Sequence, residues 1–153
     1  MTRLSPLVFP RFRMEHLAIL SKQSRLLAKI LSGEKIIESR WYKSKKTPYE
    51  NIVVNEIIYF KESGEPVTAR AKVAKVLFFD RLTESKIKNL LGKYGSSLGV
   101  SGSYLENVKD TNFCTLMFLE KAERIEPFQI NKKGYGMMAA WITVDRIEKI
   151  SRK

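Results

Sequence analysis

The sequence predicts an α+β domain with a mixed or closed sheet and two or three flanking helices. Two observations lead there. Strand-like apolar runs dominate after residue 33, while only two stretches carry the i, i+3, i+4 spacing of an amphipathic helix. The order of elements is strand, helix, several strands interrupted by a helical insertion, and then more strands. A chain of βαβ units would alternate throughout. The 153 residues suit one domain, and a hydrophobic content of 44% supplies one core.

Residues 1–15 are expected to form an N-terminal arm, with Pro6 and Pro10 among aromatic residues and arginines, leading into a domain over 16–150. A short strand follows around His16 to Leu20. The stretch SKQSRLLAKILSG reads as a helix. Leu26, Leu27, Ile30 and Leu31 share a face, Ser21 or Ser24 can cap the start, and Gly33 can take the left-handed position past the end. EKIIESRWY is strand-like. KSKKTPYEN, with three lysines, a proline and no periodicity, is a loop.

A strand over Asn55 to Lys61, a turn at Ser63-Gly64 and a long strand from Val67 to Phe79 come next. Val67, Ala69, Ala71 and Val73 alternate on one face, and the alternation slips at Lys75, where a bulge is expected. Thr83 can cap a second helix carrying Ile87, Leu90, Leu91 and Tyr94. Gly92, Gly95, Gly99 and Gly102 crowd the following segment, mostly loop with one helical turn near Tyr104 to Val108. FCTLMFLE and MMAAWITVD then read as buried strands, with Met137 and Met138 as core filler.

Charge bounds the partners. Lys and Arg number 28 against 16 Asp and Glu, a net charge of +12, and +7 of it lies in the first fifty residues. A concentrated positive field attracts polyanions, because each cation that neutralises a phosphate also releases condensed counterions. The bland alternative is a solvated basic coat kept for solubility. One cysteine, Cys114, excludes an internal disulfide, and its apolar surroundings point to a buried structural thiol. With His16 the lone histidine, a Cys/His zinc site cannot be assembled, and no metal or cofactor is expected. No apolar run approaches the roughly 20 residues of a membrane span. No signal-peptide pattern opens the sequence, so a cytoplasmic protein without a membrane partner is expected.

The segment Gly33-Glu34-Lys35-Ile36-Ile37-Glu38-Ser39-Arg40 fits the pattern G-x-K-x-x-E-x-R where a helix gives way to a strand. Alternation puts Ile36, Glu38 and Arg40 on one face of that strand, and Ile37 and Ser39 on the other. Glu38 and Arg40 can pair there or jointly meet a polar ligand edge. Arg40 offers a planar fork for phosphate or a base edge, and Lys35 a point charge beside the turn. Glu38 could accept from an exocyclic amine or ring N–H, and a base can stack on Trp41 for about 1–3 kcal/mol. The competing reading is a structural ion pair with Trp41 in the core. Tyr42 with Lys43, Lys45 and Lys46 makes the densest basic cluster, placed as a phosphate-tracking rim beside Lys35, Glu38, Arg40 and Trp41; an ordinary solvated loop is the alternative. Lys132-Lys133, before Gly134-Tyr135-Gly136, is either a second rim or a plain hairpin turn.

In context, ILSGEKIIESRW resembles the signature of ASCH domains, a branch of the PUA-like β-barrels. The Ser63-Gly64 turn before a long strand, the helix after it, and the late Gly134 and Gly136 leading to Trp141 agree with that family over roughly residues 16 to 145. The resemblance implies a PUA-like mixed or closed barrel that binds RNA or a nucleotide. It also implies an enzymatic alternative, a ribonuclease or an amidohydrolase of an acylated cytosine nucleoside, with Lys35 and Glu38 as catalytic candidates. In the small amidohydrolases a threonine stands where this chain has Glu38. Glu84 and Glu106 are the candidates for the distal carboxylate those enzymes use.

Overall fold

The fold comes from a computed structural model that describes residues 13–136 and 138–152. Most of the expected arm, residues 1–12, lies outside the described residues. Strand β1 (Glu15–Leu20) opens the domain and leads to helix α1 (Leu26–Ser32). Neither Ser21 nor Ser24 caps that helix. The chain enters it through Arg25 in the left-handed conformation, and Gly33, at φ 86°, ends it as its missing side chain allows.

Strands β2 (Ile37–Tyr42), β3 (Ile57–Glu62) and β4 (Val67–Phe79) follow. Val67, Ala69, Ala71 and Val73 are all buried, and the register of β4 slips between Val73 and Lys75, where the broken alternation placed a bulge. Helix α2 (Glu84–Leu98) begins with Thr83 accepting a hydrogen bond from the Lys86 amide at 3.2 Å. The single turn expected near Tyr104 is helix α3 (Tyr104–Val108).

Strand β5 (Phe113–Ile130) runs well past the FCTLMFLE stretch. Its second half faces solvent and carries little apolar alternation, so the sequence does not mark it as strand. Strand β6 is shorter than MMAAWITVD suggests and covers only Trp141–Val144. Met138 is 94% exposed and is not core filler, because residues 138–140 form turn and bend rather than strand; Met137 lies outside the described residues. A 3-10 turn (Ile147–Ile150) and strand β7 (Ser151–Arg152) close the described chain, two residues beyond the expected domain end.

The sheet order is β2-β5-β4-β3-β1-β6, with β7 paired to β5. Among the described residues only β1 and β3 run parallel, so the sheet is mixed. It curls into a half-barrel in which, among the described residues, β2 and β6 are the end strands. Inside the curl lie Ala18, Leu20, Ile58, Phe60, Ala71, Met117 and Trp141, sealed by Leu27 and Ile30 of α1. Helices α2 and α3 pack Ile87, Leu98 and Val108 against Ile37, Cys114 and Leu116. Cys114 is fully buried, and burial pushes its thiol pKa up, as suits an inert thiol.

Thr83→Ala should destabilise the domain by about 1 kcal/mol, since the Lys86 amide loses its acceptor. A urea titration would read this as a lower midpoint at unchanged slope; an unchanged midpoint would mean the cap contributes nothing.

Candidate functional site

The motif lies where α1, α2 and β2 meet. After Gly33 the Lys35 amide returns to the Lys29 carbonyl (3.0 Å), and the Ile36 amide bonds the Ser97 carbonyl (2.9 Å). The last turn of α2 therefore faces the motif with carbonyls that have no partner within the helix. Lys35 Nζ donates to Leu98 O (2.7 Å) and Lys29 Nζ to Gly99 O (2.9 Å), two cations at the negative end of a helix. Gly99, at φ 71°, has no side chain for a second reason. A Cβ there would sit 3.0 Å from the Lys35 Cβ.

Lys35 is 2% exposed, and its ammonium has three acceptors: Leu98 O, Ile37 O (2.7 Å) and Glu38 Oε1 (3.3 Å). Glu38 spends its other oxygen, Oε2, on Arg40, at 3.0 Å from Nε and 2.9 Å from Nη2. Arg40 goes on to donate to Ile19 O (3.3 Å) and Ala140 O (3.2 Å) across the gap between the sheet ends. Its guanidinium lies 5.1 Å from the centre of the Trp141 ring.

That ring is itself held from behind. Trp141 Nε1 lies 3.2 Å from Thr143 Oγ1 and 3.3 Å from His16 Nδ1, and the buried His16 puts Nε2 2.8 Å from Glu56 Oε1. The lone histidine is thus a core residue that supports the indole under Arg40.

Burial pushes the Lys35 pKa down, only partly offset by Glu38. Burial alone would raise Glu38, but Lys35 and Arg40 outweigh it and hold the carboxyl below its usual range. Burial also opposes the charge of Arg40, yet Glu38 and Tyr42 leave its pKa raised.

A cleft of about 340 Å³ opens over this network at the seam of the half-barrel. Lys35, Glu38, Arg40, Trp41 and Tyr42 all line it. Tyr104 and Asn107, one turn apart on α3, form a wall that motif reasoning missed; their i, i+3 spacing in the expected helical turn was the available signal. The Tyr104 ring meets Trp41 edge-on at 6.4 Å, and Trp41 Nε1 donates to Ser39 Oγ at 2.9 Å. Burial first, and then Glu38, push the Tyr104 pKa up to about 12, against a hydrogen bond with Ser39.

The lysine loop flanks the cleft without lining it. Lys46 sits 4.7 Å from the Tyr42 ring centre, Lys45 turns to Glu50 (2.7 Å), and Lys43 is exposed, its carbonyl accepting from Asn112 Nδ2. Glu84 and Glu106 stand outside the cleft, paired with Lys88 (3.5 Å) and Lys109 (3.0 Å), so neither supplies a distal carboxylate to it.

The fold is similar to that of ASCH from Zymomonas mobilis, at a TM-score of 0.65 and 16% identity over 91% of this chain and 96% of that one. A serine-to-alanine variant of that protein matches at TM-score 0.67 and 17% identity over 90% of this chain and 93% of that one. A tyrosine-to-phenylalanine variant matches at 0.65 and 16%, over 88% and 93%. No family model matches the sequence. No curated protein matches it either. The curled mixed sheet, with the three helices of the described residues, matches the fold of those ASCH structures. No helix of the described residues is long and apolar enough to cross a membrane.

Two predictions follow from the buried charges. Lys35→Met should cost about 3–5 kcal/mol by chemical denaturation, since it leaves two carbonyls and a carboxylate oxygen without their donor. A loss below about 1 kcal/mol would remove the network from the fold's stability. Glu38 carries a pKa below its ordinary 4.5, so the stability it adds is complete above that value and drains as pH falls through the depressed folded pKa. Glu38→Gln should therefore flatten the fall in stability from about pH 5 downward. Equal slopes in the two proteins would show that Glu38 is not the titrating group.

Proposed function

We propose that the chain is an RNA-binding module of ASCH type that takes an unpaired nucleotide in the seam cleft. The observation that carries this reading is the cleft itself. Trp41, Tyr42 and Tyr104 give it aromatic walls, Arg40 a charged floor, and Ser39 and Asn107 neutral hydrogen-bonding groups. Aromatic walls suit a base, and single-stranded RNA is the form in which bases are free to leave the stack. The net charge of +12 supplies the attraction to its backbone.

Lys43 and Lys46 serve as the rim that follows phosphates past the opening. Lys45, neutralised by Glu50, contributes less. Lys35 and Glu38 shape the floor and keep Arg40 in place rather than meeting phosphate, because their hydrogen bonds are committed to one another and to the backbone.

Catalysis by Lys35 and Glu38 is the weaker reading. A general base works best with a pKa near the operating pH, and two cations hold Glu38 below its ordinary carboxylate value, away from neutrality. Lys35 has no N–H left over to stabilise developing charge.

Fluorescence anisotropy with a labelled single-stranded RNA tests the proposal. Affinity should fall about tenfold or more between 50 and 200 mM salt. The double substitution Lys43→Ala, Lys46→Ala should weaken binding alike for different sequences and lower the salt slope by about 1.4, two phosphate contacts. Absent binding at low salt, or binding indifferent to salt, would sink the RNA reading. A loss confined to one RNA sequence would make these lysines base readers instead of a rim.

A further inference from the structure

Strand β2 ends the sheet, so one of its edges has no neighbouring strand among the described residues. Hydrogen-bond parity fixes which of its residues face that edge, because ladder bonds in an antiparallel pair fall at every second residue. The Leu119 amide of β5 bonds the Ile36 carbonyl at 2.8 Å, and the Asn112 amide meets the Tyr42 carbonyl at 2.9 Å. Glu38 and Arg40, between them, share this parity and turn their backbone groups to β5. Ile37, Ser39 and Trp41 turn theirs outward. The Ile37 carbonyl agrees with this parity, since it accepts from Lys35 Nζ at 2.7 Å.

Lys35 closes the Ile37 end of the edge. Beyond it, the N–H and C=O groups of Ser39 and Trp41 have no hydrogen-bond partner among the described residues. Both residues line the cleft, and Ile19 and Ala140 line it from the far lip. One strand residue sends its N–H and C=O out of the same edge, a donor beside an acceptor. Tyr104, whose hydroxyl hydrogen-bonds the Ser39 side chain, adds a ring beside the Ser39 pair. An extended peptide adding as a strand needs a longer run of free edge. Here Lys35 occupies one end, and the Arg40 side chain crosses the seam to Ile19 and Ala140.

We propose that the open edge of β2 reads the base in the cleft, the Ser39 N–H and C=O bonding an adjacent acceptor and donor on its Watson–Crick edge. The inference rests on the RNA reading above and deepens it. Each of the four bases places an acceptor next to a donor on that edge, so the recognition tolerates sequence. It requires the edge to be free, which excludes a base already paired in a duplex. The strand edge thus selects unpaired, unmodified bases, while charge supplies the attraction to their backbone.

Fluorescence anisotropy with a short labelled oligouridylate tests this. The same oligomer methylated at N3 of every uracil has lost the donor of that edge. It should bind the protein about tenfold more weakly, with an unchanged salt slope. Methylation at C5, on another edge of the ring, should leave affinity level. Ser39→Pro removes the outward N–H at an edge position, where proline is tolerated in a strand. It should bind oligouridylate about three- to tenfold more weakly than Ser39→Ala, which keeps that N–H. The methylated oligomers need no variant, so they test the edge even where Ser39→Pro does not fold.

Binding that ignores N3 methylation, or that suffers equally from C5 methylation, would overturn base reading by the strand edge and leave the RNA reading standing. Equal affinities of Ser39→Pro and Ser39→Ala would do the same. A protein that binds none of the oligomers at low salt would overturn both.

Discussion

The rest of the structure depends on one buried ammonium. Lys35 joins three things that no backbone ladder joins: the C-terminal carbonyl of α2 at Leu98, the edge carbonyl of β2 at Ile37, and Glu38. Through Glu38 the connection reaches Arg40, and through Arg40 the carbonyls of Ile19 and Ala140 on the far lip. A half-barrel with β2 and β6 as its end strands among the described residues needs something to hold its lips at a constant separation. Here a line of alternating charges does so, in a setting where each member is costly to bury alone and tolerable only beside its neighbours.

That constraint also decides the character of the cleft. Its floor contains a lysine, a glutamate and an arginine, the composition of many reactive sites, but their charges and hydrogen bonds are spent on one another. The rest of the lining is aromatic (Trp41, Tyr42, Tyr104), neutral polar (Ser39, Asn107) and aliphatic (Leu20, Leu26, Val100). Such a surface favours recognition of a flat, partly polar group over proton transfer. The positions of Trp141 and His16 follow the same logic. A fully buried histidine, fixed by Glu56 and Thr143, holds the indole on which Arg40 rests. The seam is thus braced from inside the curl as well as from its lips.

Positive charge is divided between two uses. Lys29 and Lys35 answer helix and strand carbonyls, and Lys22 and Lys45 answer Glu65 and Glu50. These cations support the fold or sit in local pairs. Lys43 and Lys46 have no carboxylate partner among the described residues, and both flank the cleft rather than lining it. An attraction for a polyanion would come from this second group, so its strength depends on where the uncompensated lysines lie more than on the net charge.

Much of this was legible in the sequence. Period-two alternation from Val67 to Val73, the slip at Lys75, the Thr83 cap and the Gly33 stop are local signals, set by side-chain direction and backbone sterics within a few residues. The pairing of Glu38 with Arg40 was equally legible, since two positions apart on a strand means the same face. The second half of β5 was not, because its residues face solvent and only the neighbouring strand β4 makes them a strand. Nor could any local pattern show Lys35 bonded to Leu98, 63 residues away, or Arg40 bonded to Ala140, 100 residues away. Whether a charged motif points at a ligand or closes a fold depends on which distant carbonyls reach it, and only the curl of the sheet and the docking of α2 decide that.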